Sequence, residues 1–196
     1  MKLPNDPDST FSSERALIKG SEKQKQSVTS DWESCQELIT GVAVKEVKNV
    51  PKDNGILTEI FRSDWPPGDV MIEQVFQVVL FAGCISAWHV HLFTTDRIFV
   101  NQGLVKLVLY DARPDSPTYT RINEFRFGSA RPALVIVPPG VWHGLQNLSG
   151  EASSVLNLVD RAYRYEDPDH WCVPVDTESI PYSFSKEVWL HEDSHK

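Results

Sequence analysis

The chain has 196 residues, 41% of them hydrophobic, which suits one domain with a sizeable core and a polar tail or two. A formal net charge of −8 without any dense Lys/Arg patch argues against nucleic-acid binding. No apolar run reaches the length of a membrane span, and residues 1–27 are polar with no apolar stretch like that of a secretory signal, so the expectation is a cytoplasmic protein with no membrane contact.

In chain order, residues 1–30 are rich in Ser, Lys, Asp and Gln and lack apolar periodicity. They read as a flexible arm ahead of a domain over 31–186, with 187–196 as a polar tail. Residues 31–38 fit a short helical turn or two. From Gly41 the pattern becomes β-branched and aromatic, broken by Pro, Asn, Asp and Gly. Val42, Val44 and Val47, then Ile56, Leu57, Ile60 and Phe61, then 75–81, 87–92, 97–100, 104–110, 122–127, 134–137, 142–145 and 154–159 read as strands. Asp53-Asn-Gly55 is a turn, and Asn101-Gln-Gly103 reads as a hairpin turn. After Tyr163 the chain reads as a loop that wraps the domain, with the acidic run Glu166 to Asp169 solvated. Short strands with turn signals between them predict an all-β sandwich or barrel. Cys35, Cys84 and Cys172 are far apart and form no disulfide framework. Asn147-Leu-Ser149 has the form of a glycosylation acceptor and is read as chance.

Two segments carry the chemistry. The first runs from Gly83 through His89 and His91 to Asp96 and Gly103, and the second from Pro138 through Gly140 and His143 to Asn147. His89 and His91 are two apart, so on a strand both imidazoles leave the same face. If neighbouring strands bring the segments together, three imidazoles and a carboxylate converge. Such a set suits a divalent transition metal, with His89, His91, Asp96 and His143 as ligands, or acid–base chemistry.

These segments resemble the two motifs of the cupin superfamily, with Asp96 where Glu is usual. Residues 41–184 further resemble the dTDP-4-dehydrorhamnose 3,5-epimerase family. The resemblance rests on Asp53 to Glu59, Asp111-Ala-Arg113-Pro-Asp-Ser-Pro-Thr118, Pro138-Pro-Gly-Val-Trp-His143-Gly, the segment from Tyr163 to Asp169, and Val175 to Tyr182. It implies a jelly-roll fold, a homodimer and a nucleotide-linked sugar as substrate. It also implies proton removal beside a 4-keto group by a histidine, with proton return by a tyrosine and no cofactor. His89 falls at the base position. Tyr163 is the candidate acid, with Tyr165 one register away, and His143 and Asp96 would orient the base or polarise the keto oxygen. Ser86 stands where the family has Arg, His91 where it has Gln, and Leu107 where a carboxylate orients the base. That leaves Asp96, Asp176 and His91 as candidate orienters. The alternatives are a metal-dependent cupin, an oxygenase or lyase, and a sugar-binding cupin without catalysis. Arg62, Trp88, Lys106, Trp142 and Asp176 are candidate substrate contacts, although for Trp88 and Trp142 a place in the barrel wall is the stronger reading, and Asp111 with Arg113 reads as a salt-bridged turn.

Overall fold

The computed structural model describes residues 17–23, 26–31, 34–65 and 71–184. It divides into two units, Met1–Gln36 and Glu37–Lys196. In the first, Val28 and Ser34 form a β-bridge and the Cys35 N–H donates to Ser27 O over 3.0 Å. The helical turn expected over 31–38 lies partly outside the described residues, and those described there hold no helix. Most of the expected N-terminal arm and the whole 187–196 tail, with His191 and His195, also lie outside them.

The second unit contains strands β1 (Ala43–Glu46), β2 (Asn49–Lys52), β3 (Gly55–Thr58), β4 (Gln74–Leu80), β5 (Ile85–Val90), β6 (Asp96–Gln102), β7 (Leu104–Asp111), β8 (Ile122–Gly128), β9 (Ala133–Val137), β10 (Val141–Asn147), β11 (Ser153–Val159) and β12 (Trp171–Cys172). They build two five-stranded antiparallel sheets, ordered β1-β9-β6-β11-β4 and β12-β5-β10-β7-β8, and a separate β2–β3 hairpin. The fold is all-β and of jelly-roll type, an open pair of sheets rather than a closed barrel.

Alternation along the strands explains how the sheets pack. On β7, Val105, Leu107 and Leu109 join Ile98 and Val100 of β6, Leu145 of β10 and Val155 of β11 in one core between the sheets. Each such fully buried aliphatic side chain contributes about 1.5–3 kcal/mol. The opposite face of β7 sends Val108 and Tyr110 into a second cluster with Trp88, Ile180 and Phe184. Phe99, Leu134 and Leu158 form a third cluster on the outer face of the other sheet, packed against Val47, Ile60, Phe61 and Ile72.

Several expectations change here. Asn101-Gln-Gly103 is not a hairpin turn, because β6 and β7 belong to different sheets. The chain crosses between them at Gly103, whose φ is +82° and where an added Cβ would lie 2.0 Å from Ser153 Oγ. Strand β2 contains Pro51, which argues against a strand from sequence; it is tolerated because β2 pairs only with β3. The stretch after Tyr163, expected as loop, contributes β12, paired to β5 with Trp171 opposite Val90 and Cys172 opposite His89.

Two polar anchors hold the fold. Asp111 is fully buried and accepts from Arg113 Nε at 2.8 Å, Ser116 Oγ at 2.6 Å and Thr118 Oγ1 at 2.7 Å. Burial works against its charge, but these hydrogen bonds outweigh it and hold the carboxyl below its usual range. Asn147 is buried and donates to the carbonyls of Leu80, Phe81 and Glu151, so the Asn147-Leu-Ser149 triplet is structural.

Candidate active site

A cavity of about 970 Å³ is lined by Gln74, Phe76 and Val78 of β4, Ser86 and His89 of β5, Asp96 and Ile98 of β6, His143 and Leu145 of β10, and Val155, Asn157 and Val159 of β11. His91, Phe93, Arg161, Tyr163, Arg164, Tyr165, Asp169 and His170 also line it, together with the carboxylates Glu73, Asp160 and Asp167. The two histidine segments therefore do converge. His89 lies directly opposite His143 in the β5–β10 pairing.

A bulge aims the base candidate. His143 pairs with His89 but Leu145 pairs with Ser86, so Gly144 alone faces both Ala87 and Trp88. The extra residue breaks the period of two, and brings Ser86 and His89, three apart, to the same cavity wall. Gly144 is needed for this: a Cβ there would lie 2.6 Å from Ala87 Cβ and 2.8 Å from Phe184 Cζ. Trp88 is turned into the cluster with Tyr182 and Phe184 and is fully buried.

His89 Nε2 lies 3.1 Å from Ser86 Oγ, and Nδ1 lies 3.1 Å from His170 Nε2. Burial first, and then the neighbouring imidazoles of His143, His170 and His91, lower its pKa to about 4. The ring is therefore neutral at pH 7, as a proton acceptor requires. Burial also lowers the pKa of His143 and of His170. Four imidazoles ring this part of the cavity, with centroids 6.1 Å apart for His89–His143, 5.5 Å for His91–His143, 4.9 Å for His89–His170 and 5.3 Å for His91–His170.

Asp96 is buried, with Oδ1 accepting from Asn157 Nδ2 at 2.7 Å. Its Oδ2 faces His91 Nε2 at 3.5 Å and His143 Nε2 at 3.7 Å. The Nδ1 of His91 faces the Asp169 carbonyl and that of His143 the Val141 carbonyl at 3.5 Å. A carbonyl only accepts, so both rings carry hydrogen on Nδ1 and present Nε2 to one carboxylate oxygen. Donor atoms of His91, Asp96 and His143 lie within 4.8 Å of one another. His89, expected among the metal ligands, is not in this group and is engaged with Ser86 and His170 instead.

The other sequence candidates are distributed differently. Tyr163 and Tyr165 both line the cavity, in edge contact at 5.2 Å, and the Tyr163 N–H donates to Gln74 Oε1 at 2.7 Å. Trp88, Lys106 and Trp142, proposed as substrate contacts, do not line it. Strand alternation sets Lys106 on the Val108–Tyr110 face and Trp142 on the outer face of β10, against the second cluster. Arg62 is exposed and paired with Asp64 and Glu59, and Asp176 is exposed outside the lining. Leu107, at the orienter position, is in the core.

Arg161, Arg164 and His170 are among the wall residues that were not anticipated. Arg161 and Arg164 place cations on the cavity wall, which the candidate contacts Arg62 and Lys106 do not reach. His170 was passed over because it follows an acidic run read as solvated. That run ends in Asp169, whose carboxylate accepts from the N–H groups of Leu92, Phe93 and Thr94 at 2.7, 2.9 and 2.9 Å and from the Thr94 hydroxyl at 2.9 Å. The clue in the sequence was a fourth histidine outside the C-terminal tail, close to the candidate acid.

Comparison with known proteins agrees with this architecture. The probable low-salt glycan biosynthesis epimerase of Haloferax volcanii is 32% identical over 151 residues, covering 76% of this chain and 97% of that protein. The spore coat polysaccharide biosynthesis protein SpsL of Bacillus subtilis is 29% identical over 153 residues, covering 76% and 99%. Among solved structures, the dTDP sugar isomerase of Desulfovibrio desulfuricans G20 superposes with a TM-score of 0.69 at 26% identity, covering 74% of this chain and 91% of that one. The family model described as dTDP-4-dehydrorhamnose 3,5-epimerase matches residues 36–193. The chain belongs to the dTDP-4-dehydrorhamnose 3,5-epimerase family.

Proposed function

We propose that this protein epimerises a 4-keto sugar linked to a nucleotide, with His89 as base and Tyr163 as acid. The observation that carries the reading is the neutral His89 imidazole at the cavity wall, its Nε2 beside Ser86 Oγ. In this reading the Nε2 lone pair takes a proton from the carbon next to the 4-keto group, breaking the C–H bond and leaving an enolate. The Tyr163 hydroxyl returns a proton to the opposite face, leaving a phenolate; His89 then gives its proton to solvent and the Tyr163 phenolate takes one from solvent, which restores both groups. His143, opposite His89 in the β5–β10 pairing, and Asp96, which faces the Nε2 of His143, line the wall beside the base. Arg161 and Arg164 meet the diphosphate, which needs fixed cations. No cofactor takes part. Incubation of the purified chain with a dTDP-linked 4-keto-6-deoxyhexose in D₂O tests this. Deuterium at the carbon beside the keto group, lost in His89→Ala, is expected, and no incorporation by the wild type overturns it.

We further propose a cytoplasmic homodimer. The supporting features are the edge of β4, which pairs with no further strand among the described residues and exposes Val75 and Val79, and the exposed Ile56 and Leu57 of the β2–β3 hairpin. Among the described residues, Cys35, Cys84 and Cys172 are free, and no helix is long and apolar enough to cross a membrane. Light scattering at micromolar concentration reads the oligomeric state, and twice the mass of one chain is expected.

A second reading is favoured by the orientation of His91 and His143. Rings held at Nδ1 by carbonyls, with Nε2 turned to a shared carboxylate, fit the donor set of a divalent transition metal. His91, Asp96 and His143 would hold it, and it would supply Lewis acidity at the cavity wall. Elemental analysis of protein purified without metal-affinity resin decides between the readings. Near-stoichiometric metal that disappears in His143→Ala supports the metal site, and none in either supports the metal-free mechanism.

A further inference from the structure

We propose that His170 is the positioning residue of the base, fixing the tautomer of His89 with an imidazole in place of a carboxylate; the inference rests on the epimerase reading and deepens it. A histidine base needs a partner on its second nitrogen, so that the first carries a lone pair and points at the substrate. The candidates for that partner are few. Leu107 is apolar and buried in the core. Asp96 is occupied with Asn157 and faces His91 and His143. Asp176 is exposed and outside the cavity lining. His170 Nε2 is 3.1 Å from His89 Nδ1.

The partner is held in place from both sides. Immediately before it, the Asp169 carboxylate accepts four hydrogen bonds from Leu92, Phe93 and Thr94, and the Asp169 carbonyl accepts from His91 Nδ1. Immediately after it, Trp171 and Cys172 pair with Val90 and His89 as β12. The chain on either side of His170 is thus tied to the strand that carries His89 and to the loop following it. On the far side of the base, Ser86 Oγ lies 3.1 Å from Nε2. A hydroxyl can donate to that nitrogen, which leaves Nδ1 as the protonated one, donating to His170 Nε2. In this tautomer Nε2 is free to exchange its hydrogen bond from Ser86 for a substrate proton. The Nδ1–H bond to His170 is unchanged when it does so.

Two substitutions in the full-length chain separate this role from a merely structural one. His170→Gln keeps an acceptor near the position of Nε2, whereas His170→Leu removes it. The readouts are deuterium wash-in with a dTDP-linked 4-keto-6-deoxyhexose, and the tautomer of His89 from ¹⁵N-resolved imidazole spectra. His170→Leu is expected to lower kcat about 100-fold with KM within about twofold, and His170→Gln to recover most of that loss, as for loss and return of an orienting group on a histidine base. His89 is expected to carry hydrogen on Nδ1 in the wild type and to lose that preference in His170→Leu. Unchanged kcat in His170→Leu, equal losses in both variants, or hydrogen on Nε2 of wild-type His89 would each overturn the proposal. A wild type that incorporates no deuterium would sink the epimerase reading alone, and the tautomer spectra would still decide the role of His170.

Discussion

Asn157 binds Asp96 and the strand that carries it at the same time. Its Nδ2 donates to Asp96 Oδ1 at 2.7 Å, while its Oδ1 accepts the Arg97 N–H at 3.0 Å. The amide can sit only one way round, and it leaves Asp96 Oδ2 to face His91 and His143. Asn157→Ala removes the donor from a buried carboxylate. It is expected to destabilise the fold by about 1–3 kcal/mol, because an unsatisfied buried acceptor loses its full desolvation cost. Urea unfolding at pH 7 measures this. Combined with Asp96→Asn, the loss should be smaller than the sum of the two single losses, since the two groups share one hydrogen bond.

Gly144→Ala tests whether the bulge aims the base. The new Cβ would meet Ala87 Cβ at 2.6 Å and Phe184 Cζ at 2.8 Å, and backbone must shift to admit it. A loss of about 1–3 kcal/mol is expected from overpacking. Because Trp88 and His89 sit on the displaced strand, its tryptophan fluorescence should shift and wash-in activity should fall. An unchanged melting profile with full activity would show that the strand accommodates the methyl group.

The pH dependence follows from the lowered pKa of His89. With the folded pKa near 4 and the unfolded one at 6.5, the unfolded chain binds more protons between those values. Stability from this group is therefore complete above pH 6.5 and is lost as pH falls toward 4, and His143 and His170 act in the same direction. The acid limb of kcat/KM should likewise have its midpoint well below 6.5, since the base stays neutral there. A midpoint at 6.5 in the rate profile would refute the low pKa.

The two tyrosines of the cavity wall are separable by deleting one oxygen. Tyr163→Phe is expected to lower kcat about 100-fold or more, in the range for loss of a general acid, and Tyr165→Phe less than about threefold. The reverse pattern in wash-out of label from the product would transfer the acid role to Tyr165, which is 83% exposed against 49% for Tyr163.

Much of the fold was legible because most strands alternate cleanly or are continuously apolar. β7 could be read from Leu104 to Tyr110 without any tertiary information. The histidine segments were legible for the same reason: residues spaced along strands keep their faces. What escaped the sequence has physical causes. Whether Asn101-Gln-Gly103 turns the chain back or hands it to another sheet depends on which strands pair, and local residues do not encode that. Trp88 lies next to His89 yet on the opposite wall, and a bulge invisible in the sequence decides where Ser86 goes. Lys106 was a candidate substrate contact for its charge alone, but its parity on β7 sets it on the face of Val108, away from the cavity lining. Asp169 and His170 were hidden in a run whose composition resembles a solvated loop, and their partners are about 80 positions away, as shown by the Leu92–Asp169 separation of 77.

Ile98, Leu145 and Val155 belong both to the central core and to the cavity lining. The same three side chains thus form the top layer of the core and the floor of the binding space. Making the pocket deeper, as in Leu145→Ala, also hollows the core, at about 2–5 kcal/mol for a Leu-to-Ala change. Altering the mouth, at Phe93 or Tyr165, touches exposed residues outside that core. Descendants of this chain can therefore change what enters the pocket from its rim far more freely than from its depth. A larger or smaller sugar is more accessible to them through rim substitutions than through the floor.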